Sequence, residues 1–271
     1  MTVVGGFLVP GSPLPLLARA NPAWGALASG MEEAGRRMAQ LAPDVVVVYS
    51  TQWLAVLDQL WQTRSEVSGV HVDETWHEYG DIPYSLRVDT AFASRCIELA
   101  GEAGIRSRAV DYDAFPIDTG TLVAAHFLDP GGTAAFGMTS NNLYHDRQTT
   151  EGIGVVVRRA AEQADARIVA VGVGGLSGTL HREERAPERD TIAGNGDDAW
   201  NRRILGILEK GQVEELAAIW DEYAAAARVD MGFKHLAFVL GALGGTFAGA
   251  ETLAYGPTYG AGAAVVAFSP D

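Results

Sequence analysis

The stretch that decides the fold is Leu41 to Trp53, LAPDVVVVYSTQW. Pro43 and Asp44 end a helix, and Val45, Val46, Val47 and Val48 follow as an unbroken β-branched run. Such a run is too short for a helix and predicts a strand buried on both faces, parallel to its neighbours in the middle of a sheet. Tyr49, Ser50, Thr51, Gln52 and Trp53 stand at its carboxyl end. In open α/β sheets ligands bind in the crevice beyond such strand ends, so Gln52 is expected beside any site.

Working outward, the preceding helix starts at Asn21 and Pro22, a capping side chain followed by proline in the first turn. Trp24, Leu27, Met31, Ala34, Met38 and Leu41 make its apolar face, with Glu32, Glu33, Arg36 and Arg37 turned outward. Before it, Val3 to Val9 reads as a first strand ending in Pro10, Gly11, Ser12 and Pro13. After the valine strand, residues 58 to 88 read as a long irregular connection. Thr90 to Ala103 is a helix closed by Gly104, Arg106 to Val110 a strand, and Thr119 to Leu128 a short helix. Ala134 to Ser140 is a strand, Glu151 to Ala164 a helix, and Arg167 to Val173 a strand. His181 to Asp198 is charged and aperiodic, a surface loop. Helices follow at Trp200 to Glu209, Gln212 to Ala227 and Gly232 to Leu243, then a loop and a last strand, Ala263 to Phe268. Alternating strands and helices predict an α/β fold with a largely parallel or mixed central sheet flanked by helices, one domain over residues 1–271.

The totals narrow the function. The 271 residues are 48% apolar, enough for a sizeable core. Asp and Glu number 34 against 20 Lys and Arg, a formal charge of -14, which repels phosphate backbones and argues against nucleic-acid binding. The single cysteine, Cys96, sits in a helix as core filler and suits a reducing cytosol. The amino terminus lacks the basic start of a signal peptide, and the apolar carboxyl end is broken by glycines and Pro257, so a cytoplasmic protein without a membrane span is expected.

Candidate chemistry is sparse. The glycines of VGVGGLSG, Val171 to Gly178, follow a strand but open no helix, as a phosphate cradle requires, and read as a tight turn. Ser177, in Gly175-Leu176-Ser177-Gly178-Thr179, misses the nucleophile elbow at its last position, and the nearby His181 does not make a triad. His71, Asp73, Glu74, His77 and Glu78 are the densest group of metal-ligand types, yet they lie in a segment with no regular element to aim them. His126 reads as a core residue on an apolar helix, His145 as a residue able to line a pocket, and His235 as packed.

The segments GFLVPGSPLP, PDVVVVYSTQW, DYDAFPIDTGT, SNNLYH, VGVGGLSG, ARVDMGFKHL and YGPTYGAGAAVV, in that order, resemble the type III extradiol ring-cleavage dioxygenases along nearly the whole chain. Within that family the likeness is to the non-catalytic α subunits of two-chain members that open aminophenol rings. The resemblance implies that this chain lacks the iron ligands and carries no cofactor. It implies a homologous catalytic β subunit holding Fe(II), with α2β2 assembly by two-fold symmetry. Catalytic members hold iron with two histidines and a glutamate. Carried onto this chain, the first histidine position is Gly11, the second is Gln52, and the glutamate falls on Arg228. The acid/base histidine that follows a Leu-Ser pair falls on Gly178, and of the pocket histidines only His126 remains. Glycine offers no ligand, a glutamine amide is neutral, and arginine has no lone pair to give. Two other readings stand beside this one. The first is an active Fe(II) dioxygenase with ligands relocated to His71, His77 or His126. The second is a small-molecule binding module in which Arg228 pairs with a carboxylate ligand.

Overall fold

The computed structural model describes residues 2–178 and 185–271. The valine run begins β2 (Val45–Ala55), which lies between β7 (Ala135–Asn142) and β8 (Ile168–Val173) and is parallel to both. Its burial is two-sided, as the sequence predicts. Val45, Val47 and Tyr49 enter one apolar layer with α3 (Thr90–Glu102), α5 (Arg147–Ala164), α6 (Asp197–Glu209), α7 (Val213–Ala226) and α8 (Lys234–Leu243). Val46 and Val48 point the other way, to the layer holding α2 (Pro22–Leu41) and α4 (Thr119–Leu128). The period of two along a strand is what divides one run of valines between two layers.

On the far side of β8 lie β1 (Val3–Val9), parallel to it, then β10 (Ala261–Ser269) and β9 (Gly249–Thr258), each antiparallel to its neighbour. Beyond β7 lie β3 (Gln59–Gln62), antiparallel to it, and β6 (Ser107–Val110), parallel to β3. The eight-stranded order is therefore β6-β3-β7-β2-β8-β1-β10-β9, a mixed sheet whose centre is parallel. A single-turn α1 (Leu14–Leu17) follows β1. Helix α2 starts as its sequence requires, with Asn21 Oδ1 accepting from the amides of Ala23 (3.0 Å) and Trp24 (3.3 Å). Trp24, Leu27, Met31, Ala34 and Met38 are its buried stripe.

Two segments differ from expectation. Residues 58 to 88 hold β3 and a separate two-stranded sheet of β4 (Glu66–His71) and β5 (Ile82–Arg87). Only Val67 and Ile82 of that hairpin are buried, so the period-2 signal is faint. The loop expected before the last strand is β9, which forms because β10 pairs with it from Ser269↔Gly249 to Ala261↔Thr258. Helices α5 and α6 also begin a turn earlier than expected, α5 under an Asp146 cap that accepts from the Thr149 amide at 2.7 Å. The described part of the charged segment, residues 185–198, is irregular apart from a 3-10 turn at Pro187–Arg189 and the start of α6. Thr179, Leu180 and His181 lie outside the described residues.

Candidate functional site

Strands β1, β2 and β8 run side by side and end at the same edge, where a cavity of about 600 Å³ opens. Gly11 and Pro13 line it from the turn after β1, Gln52 from the end of β2, and Gly175, Ser177 and Gly178 from the loop after β8. Asp73 and Trp76 come from the segment between β4 and β5. Arg228, Asp230 and Met231 come from the connection between α7 and α8, and Thr258 and Ala261 from the turn between β9 and β10.

Gln52 is held at both ends of its amide. Its Oε1 accepts from the Gly120 amide at 2.7 Å and its Nε2 donates to the Gly11 carbonyl at 3.1 Å. It thereby ties the turn after β1 to the first turn of α4. Both partners have to be small here. A Cβ on Gly11 would lie 2.7 Å from Gln52 Nε2, and one on Gly120 would lie 3.1 Å from Gln52 Oε1. Beside it, Asp118 caps α4 by accepting from the Thr121 amide (3.0 Å) and also accepts from the Ser50 hydroxyl (2.5 Å).

Arg228 and Asp230 reach the cavity from a strained segment. Arg228 (φ 49), Met231 (φ 46) and Phe233 (φ 68) are all left-handed, as is Gly232 (φ 67). A non-glycine residue in that region costs on the order of 1–2 kcal/mol, so packing must hold the segment in place. The Arg228 Nη2 spans both carboxylate oxygens of buried Asp197, at 2.9 and 3.2 Å, and its Nε donates to the Gly178 carbonyl at 3.2 Å. Asp230 Oδ2 accepts from the Thr51 hydroxyl (2.6 Å) and the Gly175 amide (3.3 Å). Sequence reasoning missed Asp230 because Arg228 had been matched to the acidic position. The signal was a carboxylate two residues further on.

Four of the five positions singled out in the sequence, Gly11, Gln52, Gly178 and Arg228, thus meet around one cavity. His126 does not. It is exposed on the last turn of α4, its ring against Phe127, and is neither in the cavity nor in the core. Among the described residues no histidine lines the cavity, and no three His, Cys, Asp or Glu side chains gather as a metal-binding group. In the acidic segment His71 Nε2 meets the Thr119 hydroxyl at 2.7 Å, and that hydroxyl donates to Asp73 at 2.8 Å. His77 is exposed and reaches only the Glu74 carbonyl, at 3.3 Å. The Ser177 hydroxyl is committed to structure, accepting from Asn201 (2.8 Å) and the Gly262 amide (3.1 Å). His145 lines a different depression, with Gly104 and Thr149, and its pKa is lowered by burial and by Lys234. His235 is packed, as expected. Burial pushes its pKa down to about 4, and among the described residues neither ring nitrogen has a hydrogen-bond partner.

Comparison with known proteins gives this fold a family. Residues 14–267 match the family described as the catalytic LigB subunit of aromatic ring-opening dioxygenase, and the chain belongs to that family. Among individual relatives it is 43% identical to the 2-aminophenol 1,6-dioxygenase alpha subunit of a Pseudomonas species, over 99% of this chain and 100% of that one. It is 23% identical to the beta subunit of the Pseudomonas enzyme, over 97% and 93% of the two chains. A 3,4-dihydroxyphenylacetate 2,3-dioxygenase of Escherichia coli is 21% identical over 79% of each. In structure it is similar to an uncharacterized protein of Escherichia coli K12, with a TM-score of 0.69 at 15% identity, over 97% of this chain and 99% of that one. Among the described residues no helix is long and apolar enough to cross a membrane.

Proposed function

We propose that this chain is the non-catalytic α subunit of a cytoplasmic extradiol ring-cleavage enzyme of the 2-aminophenol 1,6-dioxygenase type. In this reading it acts as one unit over residues 1–271 and pairs with a homologous catalytic β subunit as α2β2. The partner holds the Fe(II) and opens the ring with O2. The full-length identity to an α subunit supports the pairing. The likeness to the β subunit supports two chains of one fold, which pack readily about a two-fold axis.

The observation that carries the reading is Gln52. The residues around the cavity do not fit iron. At one ligand position Gly11 has no side chain. At the next, the Gln52 amide is neutral, and both its oxygen and its nitrogen are already committed to backbone partners. Arg228 brings a fixed cation to the wall, engaged with Asp197. Of the two carboxylates that remain among the described residues, Asp73 accepts from the Thr119 hydroxyl and from the amides of Thr75 and Trp76. Fe(II) in such enzymes needs imidazole donors, and among the described residues the cavity offers none. The reading with relocated ligands finds no support, since His71, His77 and His126 do not gather at the cavity.

The chain purified alone is expected to hold far less than one iron per chain by metal analysis and to leave 2-aminophenol intact. Co-expressed with a homologous chain that has both histidines and the glutamate, it is expected to elute as an α2β2 species by light scattering. About one iron per chain, with ring cleavage by the isolated protein, would overturn the proposal.

A further inference from the structure

We propose that the cavity at the ends of β1, β2 and β8 is a binding site for a small organic cation, a primary ammonium group carried on a single-ring apolar body. This goes beyond ring cleavage and does not depend on the pairing of subunits.

The charge of the cavity sets the sign of the ligand. Arg228 is its one basic liner among the described residues, and Asp197 neutralises it through both carboxylate oxygens. Arg228 is therefore a poor anchor for an anionic ligand, which weighs against the alternative reading in which it pairs with a carboxylate. Asp230 and Asp73 are the cavity's carboxylates among the described residues, and neither has an ion-pair partner there. Asp73 is taken up by the Thr119 hydroxyl and two backbone amides. Asp230 places both its hydrogen bonds on Oδ2, and among the described residues Oδ1 accepts none. A half-buried aspartate on the cavity wall with one oxygen left to accept, set between the left-handed Arg228 and Met231, suits an ammonium donor.

The shape sets the rest. Trp76 lines the same cavity and is fixed by edge contact with Tyr259, ring centroids 4.7 Å apart. An indole wall attracts a cation and packs against a ring. Met231, Pro13 and Ala261 add apolar surface. A volume of about 600 Å³ admits a one-ring ligand. An arylamine such as 2-aminophenol, uncharged at neutral pH, lacks the feature that Asp230 selects.

The test is calorimetric titration of the full chain with benzylamine, benzyl alcohol, benzoate and 2-aminophenol at pH 7. Benzylamine is expected to bind, at least about tenfold more tightly than the other three, and to weaken as NaCl is raised. Asp230→Asn keeps an oxygen for Thr51 and Gly175 but removes the charge, and should weaken benzylamine at least about tenfold and benzyl alcohol by clearly less. Trp76→Leu should also weaken benzylamine. Should Asp230→Asn fail to fold, the four-ligand series on the unaltered chain decides. No heat with benzylamine, equal binding of benzyl alcohol, benzoate or 2-aminophenol, or full affinity in a folded Asp230→Asn protein would overturn the proposal.

Discussion

His235 is a buried imidazole whose two nitrogens meet no partner among the described residues, beside Phe233 and within the field of Asp230. Burial holds its pKa near 4, against about 6.5 in the unfolded chain. Above pH 6.5 the imidazole is neutral in both states and adds no pH dependence. As pH falls from 6.5 to 4, the unfolded chain takes up a proton that the folded chain refuses, so stability drops; below 4 this contribution levels off. The full effect is about 3 kcal/mol. His126 and His145 are shifted the same way, so the contribution of His235 is read as a difference between proteins. His235→Leu removes two unpartnered nitrogens and is expected to equal or exceed the parent in urea stability at pH 7. Its loss of stability between pH 6.5 and 4 should be smaller by about 3 kcal/mol. Equal pH slopes in the two proteins would show that His235 is not the group responsible.

At the scale of elements, α5 and α8 cross where glycines remove the side chains between them. A Cβ on Gly154 would lie 2.1 Å from the Phe238 carbonyl oxygen, and one on Gly241 would lie 2.0 Å from that of Glu151. Both obstacles are backbone, so only separation of the helices relieves the clash. Alanine gains about 1 kcal/mol over glycine in helix propensity. Overpacking costs about 1–3 kcal/mol or more, and the clash should win. Gly154→Ala and Gly241→Ala are expected to lower the urea midpoint. Gly206→Ala in α6, where a Cβ meets nothing within 4 Å, should raise it slightly. A raised midpoint for Gly154→Ala would mean the crossing is looser than its geometry implies. Elements of this kind differ in how plainly the sequence declares them. Helix α4 matches its expected bounds because Asp118 and the apolar run are local signals. Strand β9 is hidden because GAETLAYGPT is half-buried, holds glycine and proline, and owes its form to β10. Its proline is tolerated because β9 is the edge strand.

At the scale of the molecule, the position of the cavity was legible because consecutive parallel strands deliver their carboxyl ends to one edge. Gln52 could be placed from the valine run alone. Asp230, Trp76 and the β9–β10 turn could not, since they reach the cavity through long-range packing that leaves no local period. The cancellation of Arg228 by Asp197 joins the α7–α8 connection to the first turn of α6 and is equally silent in the sequence. Net charge is legible, and its consequence is global. An excess of 14 negative charges makes the compact state repel itself. Surface pairs such as Arg37–Glu251 and Arg202–Asp198 oppose this, but exposed pairs contribute only about 0–1 kcal/mol each. Salt weakens both effects, with a screening length near 10 Å at 0.1 M. The unpaired excess is spread over the whole surface, so screening should relieve more repulsion than it removes attraction. The thermal midpoint of the isolated chain is therefore expected to rise by a few degrees between about 0.01 and 0.15 M NaCl. A falling midpoint would mean that the arginine pairs outweigh the acidic excess, and neutralising Arg37 or Arg202 should then be more damaging at low salt than at high.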